Sequence, residues 1–317
     1  MDQIMSWKAG QILLGFMLAS SIAVAQTDAD GIMMKKQQIC NGITYSYSSW
    51  DHYWEGTHKR INDNFGTVSS QSLAAVTNYG ITDKLNVLAS VPYVTTKASA
   101  GQLHGMKGLQ DISVWLKYLP LQLKAGAGKF SFFLVTGVSL PLSDYNPDFL
   151  PLSIGLHSRT LSLRGMIDYQ RKNIFATVSG AYTERQNIKL FRNSYYTTEM
   201  HYTNEVRMPD VAQFMVSGGL RSKRLIAEVI ATNITTLGGF DITKNNMPFP
   251  SNKMNSTSVG ANLKYYFKNL TGLSVNGGAN FVLNGRNVGQ AKSYAAGAFY
   301  VMNFKKHQSK FPTTNTQ

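Results

Sequence analysis

Residues 73–94 constrain the fold more than any other stretch of this chain. Leu85, Val87, Ala89, Val91 and Tyr93 alternate with Asn86, Leu88, Ser90, Pro92 and Val94, so one face of the strand is wholly apolar and the other mixed. Gly80, Thr82 and Asp83 supply turn chemistry between this run and the apolar run before it, which makes the unit a β-hairpin. A soluble sheet hides such a face under a helix or a second sheet, and the chain offers almost no helical periodicity to do so. Closure of the sheet on itself in lipid satisfies both the apolar face and the backbone.

The unit recurs from Ile43 onward. Period-two segments predict about twelve strands, an even number as in bacterial single-chain barrels, at 43–50, 67–79, 84–94, 109–119, 129–140, 157–169, 173–184, 211–221, 224–235, 256–267, 272–283 and 293–304. The connectors alternate in length. Those at 80–83, 171–172, 222–223 and 269–271 are short, with a longer one at 120–128. Those at 51–66, 95–108, 141–156, 185–210, 238–255 and, to a lesser degree, 284–292 are long and polar. Short turns at one end and long loops at the other are the pattern of an outer-membrane barrel. The expected topology puts both chain ends in the periplasm and the long loops outside a Gram-negative cell. In the eleventh segment Leu273, Val275, Gly277, Ala279, Phe281 and Leu283 face lipid, while Ser274, Asn276, Gly278 and Asn280 face inward. The last segment ends at Phe304 and resembles the terminal strand by which barrel-assembly machinery recognises its clients, so that machinery and outer-membrane lipids are expected partners.

The N-terminus carries its own signal. Lys8 precedes an apolar run at 12–19, and Ala23-Val24-Ala25 has the small-x-small form of a signal-peptidase site. The run is shorter than the roughly 20 residues of a spanning helix. The expected organisation is a signal peptide at 1–25, a periplasmic segment at 26–42, a barrel at 43–304 and a periplasmic tail at 305–317.

Composition agrees. Of 317 residues only 15% are charged, against about 25% in soluble proteins. The mean hydropathy of −0.16 decides nothing, since only alternate residues of a barrel meet lipid. The net charge of +14 does not point to nucleic acid, because the Lys and Arg residues are scattered over turns and strand ends of an exported chain. It fits lipid phosphates or an anionic solute better. Cys40 is the only cysteine, which excludes an intrachain disulfide and a Cys-based zinc site.

The strand pattern turns Asp111, Lys117, Arg164, Asp168, Arg221, Glu228 and Lys264 into the lumen, beside Trp115 and Phe133. Two readings follow. Charges of both signs in a narrow barrel pair with one another as a structural network, or they line a solute path. Catalytic motifs fail: in residues 126–129, G-A-G-K, Phe130 stands where a phosphate loop needs Ser or Thr. His157 and Ser158 are neighbours on opposite faces of a strand. His52, Asp51, Glu55 and His58 read as a charged loop, since no second shell supports a metal. No enzyme activity and no cofactor are expected. The aromatic loops D-H-Y-W at 51–54 and N-S-Y-Y-T-T-E-M-H-Y at 193–202 read equally as a ligand-contacting lid at the mouth or as loop packing on the rim.

Tyr79-Gly80-Ile81-Thr82-Asp83-Lys84-Leu85-Asn86-Val87 leading to Val91-Pro92-Tyr93, then Gly108-Leu109-Gln110-Asp111-Ile112 and Lys117-Tyr118, resembles a family of outer-membrane barrels labelled for the meta-pathway of phenol degradation. The resemblance centres on residues 66–120. It implies a transporter-like barrel passing aromatic or other hydrophobic compounds, and no substrate-binding residue carries over. The expected function is therefore an outer-membrane channel or transporter for small hydrophobic, aromatic or anionic solutes. The alternative is a non-transporting surface protein that displays its long loops for binding or adhesion.

Overall fold

Twelve antiparallel strands form one ring in the computed structural model, which describes residues 27–242 and 246–304. The expected signal peptide and the tail at 305–317 lie outside the described residues. The barrel strands are β1 (Gln38–Trp50), β2 (Val68–Thr82), β3 (Leu85–Ala98), β4 (Asp111–Ala125), β5 (Gly128–Pro141), β6 (Thr160–Arg171), β7 (Ile174–Arg185), β8 (Val211–Arg221), β9 (Leu225–Thr236), β10 (Asn255–Tyr266), β11 (Leu273–Arg286) and β12 (Lys292–Asn303). Each pairs with its neighbours in sequence, and β1 closes the ring on β12 from Gln38 opposite Asn303 to Ser49 opposite Lys292. Closure leaves no edge strand unpaired, which a bilayer demands.

The strands alternate as the sequence predicts. Ile43, Leu73, Leu116, Leu134, Leu163, Phe214, Leu263 and Leu283 stand exposed on the outside, while their chain neighbours Thr44, Ser72, Lys117, Arg164 and Asn262 are buried within. An outward apolar band on a closed barrel is the surface of an outer-membrane protein. Aromatic pairs such as Tyr265 with Phe267 and Phe281 with Tyr294, edge to face at 5.3 and 6.0 Å, lie on this outer face.

Three boundaries differ from expectation. β1 begins at Gln38 rather than at residue 43, so the barrel takes up part of the segment assigned to the periplasm. β4 runs through Pro120 to Ala125, and the connector to β5 is only Gly126 and Ala127. Pro120 reads as a turn because it cannot donate to a ladder. The structure places it instead in a bulge between Tyr118 and Leu121, where that missing donor costs nothing. The loop between β3 and β4 is shortened by the run of β3 to Ala98 and by a short strand, Lys107–Leu109, on the same edge.

Candidate functional site

The lumen is the site, and it is filled from both ends. Before β1 the chain runs inside the barrel from mid-height at Thr27 to the short-turn rim at Gln37. There Gln37 N donates to Gly80 O at 2.8 Å and Lys36 N to Asp83 Oδ1 at 2.9 Å. Gly80 is where this approach requires a glycine, since a Cβ would stand 2.1 Å from Lys35 O. Oriented to suit its neighbours, the amide of fully buried Asn86 accepts from Met34 N at 2.7 Å and donates to Met34 O at 3.2 Å.

Further in, wall charges hold the segment. Lys117 Nζ, fully buried, donates to Thr27 O at 2.8 Å, Asp30 O at 2.5 Å and Asp30 Oδ1 at 2.8 Å, which uses all three of its protons. Arg164 meets Asp28 at 3.4 Å and donates to Ser179 at 3.1 Å and Gln213 at 3.0 Å. The register explains why the two cations act together. Val135 of β5 lies directly opposite both Lys117 of β4 and Arg164 of β6, so their backbones are two strand spacings apart, roughly 10 Å, and both side chains reach the segment between them. One row toward the short turns, Phe133 lies opposite Met166. With Leu119 these form an apolar cluster on which Met33 of the segment packs. One row further, Asp168 takes Thr177 Oγ1 at 2.6 Å and both Arg221 amino groups at 3.1 Å. Gly31 packs so closely on Asp168 that a Cβ would stand 2.2 Å from its Oδ1. Between the segment and this wall, toward the short-turn rim, lies a cavity of about 920 Å³ lined in part by Met33, Met34, Leu119, Phe133, Asp168 and Arg221.

The remaining sequence-selected residues are distributed around the ring. Trp115 lies against its cross-strand partner Gly137, whose absent Cβ would fall 2.2 Å from the indole. Arg221 stacks over Phe175 at 4.0 Å. Glu228 accepts from Asn262 at 3.2 Å. Lys264, almost fully buried, sits over the rings of Tyr266 and Phe299 at 5.0 and 5.1 Å and makes no hydrogen bond or ion pair among the described residues. The expected pairing of wall charges with each other is seen, among these residues, only between Arg221 and Asp168. Lys117 and Arg164 instead pair with the incoming chain, while Asp111 and Glu228 are engaged by Tyr145 and Asn262. Sequence reasoning missed Asp28 and Asp30, since a segment inside a tube needs no alternation. The one available signal was a pair of acids ahead of a basic barrel, in a stretch at 26–42 whose other charges are Lys35 and Lys36.

The long loops fold together over the other end. Loop 142–159 folds inward, with Leu152 and Ile154 buried. Ile154 packs on Val94 and Tyr145, Tyr145 Oη donates to Asp111 at 2.5 Å, and Thr96 Oγ1 donates to Leu152 O at 2.5 Å. Asp111 is thus covered by Tyr145. Loop 186–210 forms an apolar cluster of Ile188, Leu190, Tyr195, Val206 and Met208 with Phe249 of the loop after β9. Tyr195 stacks between His201 at 4.8 Å and Phe249 at 5.2 Å. Asn287, buried, ties three loops: it accepts from Gly56 N and Ile242 N and donates to Asp241 Oδ1 and Lys253 O. Arg286 grips Asp241 with two bonds of 2.8 and 2.6 Å and, as the largest cause, holds its carboxyl down to about 2. Asp210 is likewise held below the usual range, first by Tyr182 Oη at 2.6 Å and then by Arg185 N at 3.0 Å. In the first loop His52 meets Asp51 and Glu55 meets Arg60, and no cluster of three metal-ligating side chains exists among the described residues. Both aromatic loops contribute to packing, with Trp54 and Tyr195 buried, while Phe191, Tyr196 and Tyr202 stay exposed.

The family described as "Putative MetA-pathway of phenol degradation" matches residues 64–297. Among solved structures, an outer membrane channel from Pseudomonas putida F1 superposes with a TM-score of 0.68 at 12% identity, covering 85% of this chain and 97% of that one. The translocator domain of the autotransporter NalP from Neisseria meningitidis gives a TM-score of 0.44 at 11% identity, over 84% of this chain and 88% of its own. The NanC porin gives 0.44 at 9% identity, over 82% and 98%. No curated protein matches in sequence. At 12% identity the likeness to the Pseudomonas barrel is one of fold.

Proposed function

Given that the chain belongs to the phenol-degradation barrel family, matched over residues 64–297, we propose that it is an outer-membrane channel for small solutes whose lumen is held shut by its own N-terminal segment. The observation that carries the reading is the grip of Lys117 and Arg164 on Asp28 and Asp30. A barrel built only as a rigid display scaffold gains nothing by neutralising wall cations with a chain end, because wall acids could do so at lower entropic cost. The solute has an apolar body with a polar or anionic end, since the wall sets Leu119, Phe133 and Met166 beside Lys117 and Arg164. The long loops face outside the cell and the short turns face the periplasm.

The alternative, a filled barrel displaying loop 186–210, has the exposed Phe191 and Tyr202 in its favour. Planar-bilayer conductance of the purified full chain decides between them. The full chain conducts weakly, and deletion of residues 27–36 raises the conductance several-fold while the heat-shifted gel mobility of a folded barrel is kept. Absence of conductance and of liposome uptake in both proteins removes the channel reading and leaves display.

A further inference from the structure

The N-terminal segment occupies a site that was shaped by its chemistry for something else, and resting on the channel reading above, we infer that this site binds a carboxylate with an apolar body. Asp28 and Asp30 stand in for its head and Met33 for its body.

Three observations converge. First, Lys117 and Arg164 belong to one register row on either side of Val135, are both more than nine-tenths buried, and have no wall carboxylate of their own. A barrel that needed only internal bracing would answer them from the wall, as Asp168 answers Arg221. Second, the next row is apolar: Leu119, Phe133 and Met166 receive the Met33 side chain, and Lys117 Nζ lies 5.5 Å from the Phe133 ring. Cations followed one strand step later by an aromatic and two aliphatic side chains match a molecule with a carboxylate at one end and hydrocarbon behind it. Third, the cavity of about 920 Å³ beside this cluster is of the size that small-molecule sites have, about 300–1,000 Å³. It opens toward the short-turn rim past Lys35 and Lys36, so a displaced segment and a bound solute need not share one volume.

The wall on the far side of the segment fits the same picture. Thr44 and Asn276 flank Gly297 in one row with Lys264, and Ser274 lies one row away. Thr44 Oγ1, Ser274 Oγ and Asn276 Oδ1 are buried without a hydrogen-bond partner among the described residues, and Lys264 has neither a bonded acid nor an acceptor. On the first wall Arg221 Nε is buried without a partner as well, so the closed form leaves polar atoms of both walls unsatisfied among the described residues, and such atoms raise its free energy.

The test reads the segment, not transport. In a Cys40→Ser, Ala29→Cys protein whose heat-shifted mobility shows it folded, the rate of reaction with a small maleimide is measured at constant ionic strength with added hexanoate or hexanol. Hexanoate speeds the reaction several-fold and saturably, and hexanol leaves it unchanged. Phe133→Ala raises the half-saturating hexanoate concentration several-fold while retaining the response. A Thr27→Cys protein serves equally if Ala29→Cys does not fold. Equal acceleration by both probes, or by neither, overturns the carboxylate site. A hexanoate response in protein that neither conducts nor takes up solute keeps the site and removes the channel, whereas conductance without the response keeps the channel and removes the site.

Discussion

The two ends of the lumen are covered by opposite chemistry. At the short-turn end the closing element is a single chain segment held by ion pairs and backbone hydrogen bonds to the wall, with Lys117 and Arg164 as its anchors. At the long-loop end several loops lean on one another through an apolar cluster around Tyr195 and Phe249 and through the hydrogen bonds of Asn287. Ionic contacts in a narrow lumen can be exchanged for those of a charged solute or of water, while an apolar cluster has no such competitor and yields only by coming apart. The difference makes the inner closure the one a solute can open.

The largest effect separates the closures directly. Replacing Lys117 and Arg164 together by Met removes both anchors and leaves Asp28 and Asp30 unpaired inside the barrel. Breaking a buried pair from one side costs about 3–5 kcal/mol, more than a short segment gains from its remaining contacts. The segment leaves, and the conductance of the double variant approaches that of the protein lacking residues 27–36. A double variant that conducts no more than wild type would mean that the backbone bonds at Gly80 and Asn86 hold the segment unaided, and would erase the contrast.

Phe249→Ala is the counterpart at the outer end. Phe249 is buried between Tyr195 and Phe240, and truncating such a ring costs about 3–5 kcal/mol, drawn from the loop cluster because the barrel ladder does not pass through it. Trypsin then cleaves at Arg192 or Arg207 in loop 186–210 in the folded barrel, while labelling of Ala29→Cys at the inner end stays at the wild-type rate. Coupled changes at both ends would show that the closures are one device.

How far this contrast was legible in the sequence follows from what each part answers to. The barrel was legible because lipid imposes a period of two on strands such as Leu85–Ala98 and the alternation of turn length fixes their order. The same period turned Lys117, Arg164, Asp168 and Lys264 inward. Their partners were not legible, because pairing depends on strand register, which for Lys117 and Arg164 is set by a bulge at Pro120 that reads as a turn. Asp28 and Asp30 answer to the inside of the tube, which imposes no periodicity on a crossing segment. The outer cluster was half legible: the aromatic content of loop 186–210 reads equally as a lid or as packing, and its partner Phe249 lies in the loop after β9, which has no pattern of its own.

The smallest expected effect concerns the latch between Asp241 and Arg286, which sharpens the outer side of the comparison. Its carboxyl is held down to about 2, chiefly by the two bonds from Arg286 and then by Asn287. A depressed pKa means that the contribution is fully present above the ordinary carboxylate value and is lost as pH falls through about 2. Both partners are partly exposed, so solvent screens the pair and its worth is about 0–1 kcal/mol. The latch acts through Asn287, whose side-chain oxygen holds the amides of Gly56 and Ile242. Hydrogen exchange at those two amides, corrected for intrinsic rates, is therefore the measurement. Asp241→Asn speeds it modestly at neutral pH, and wild type approaches the variant as pH falls through about 2 but not at pH 5. Added salt weakens the difference, as it must for an exposed pair. At neutral pH Asp241→Asn leaves exchange at the Tyr195 cluster unchanged, because the apolar contacts of that cluster do not pass through Asp241. Loss of protection there in the variant would mean that the latch, not apolar packing, holds the outer end as well.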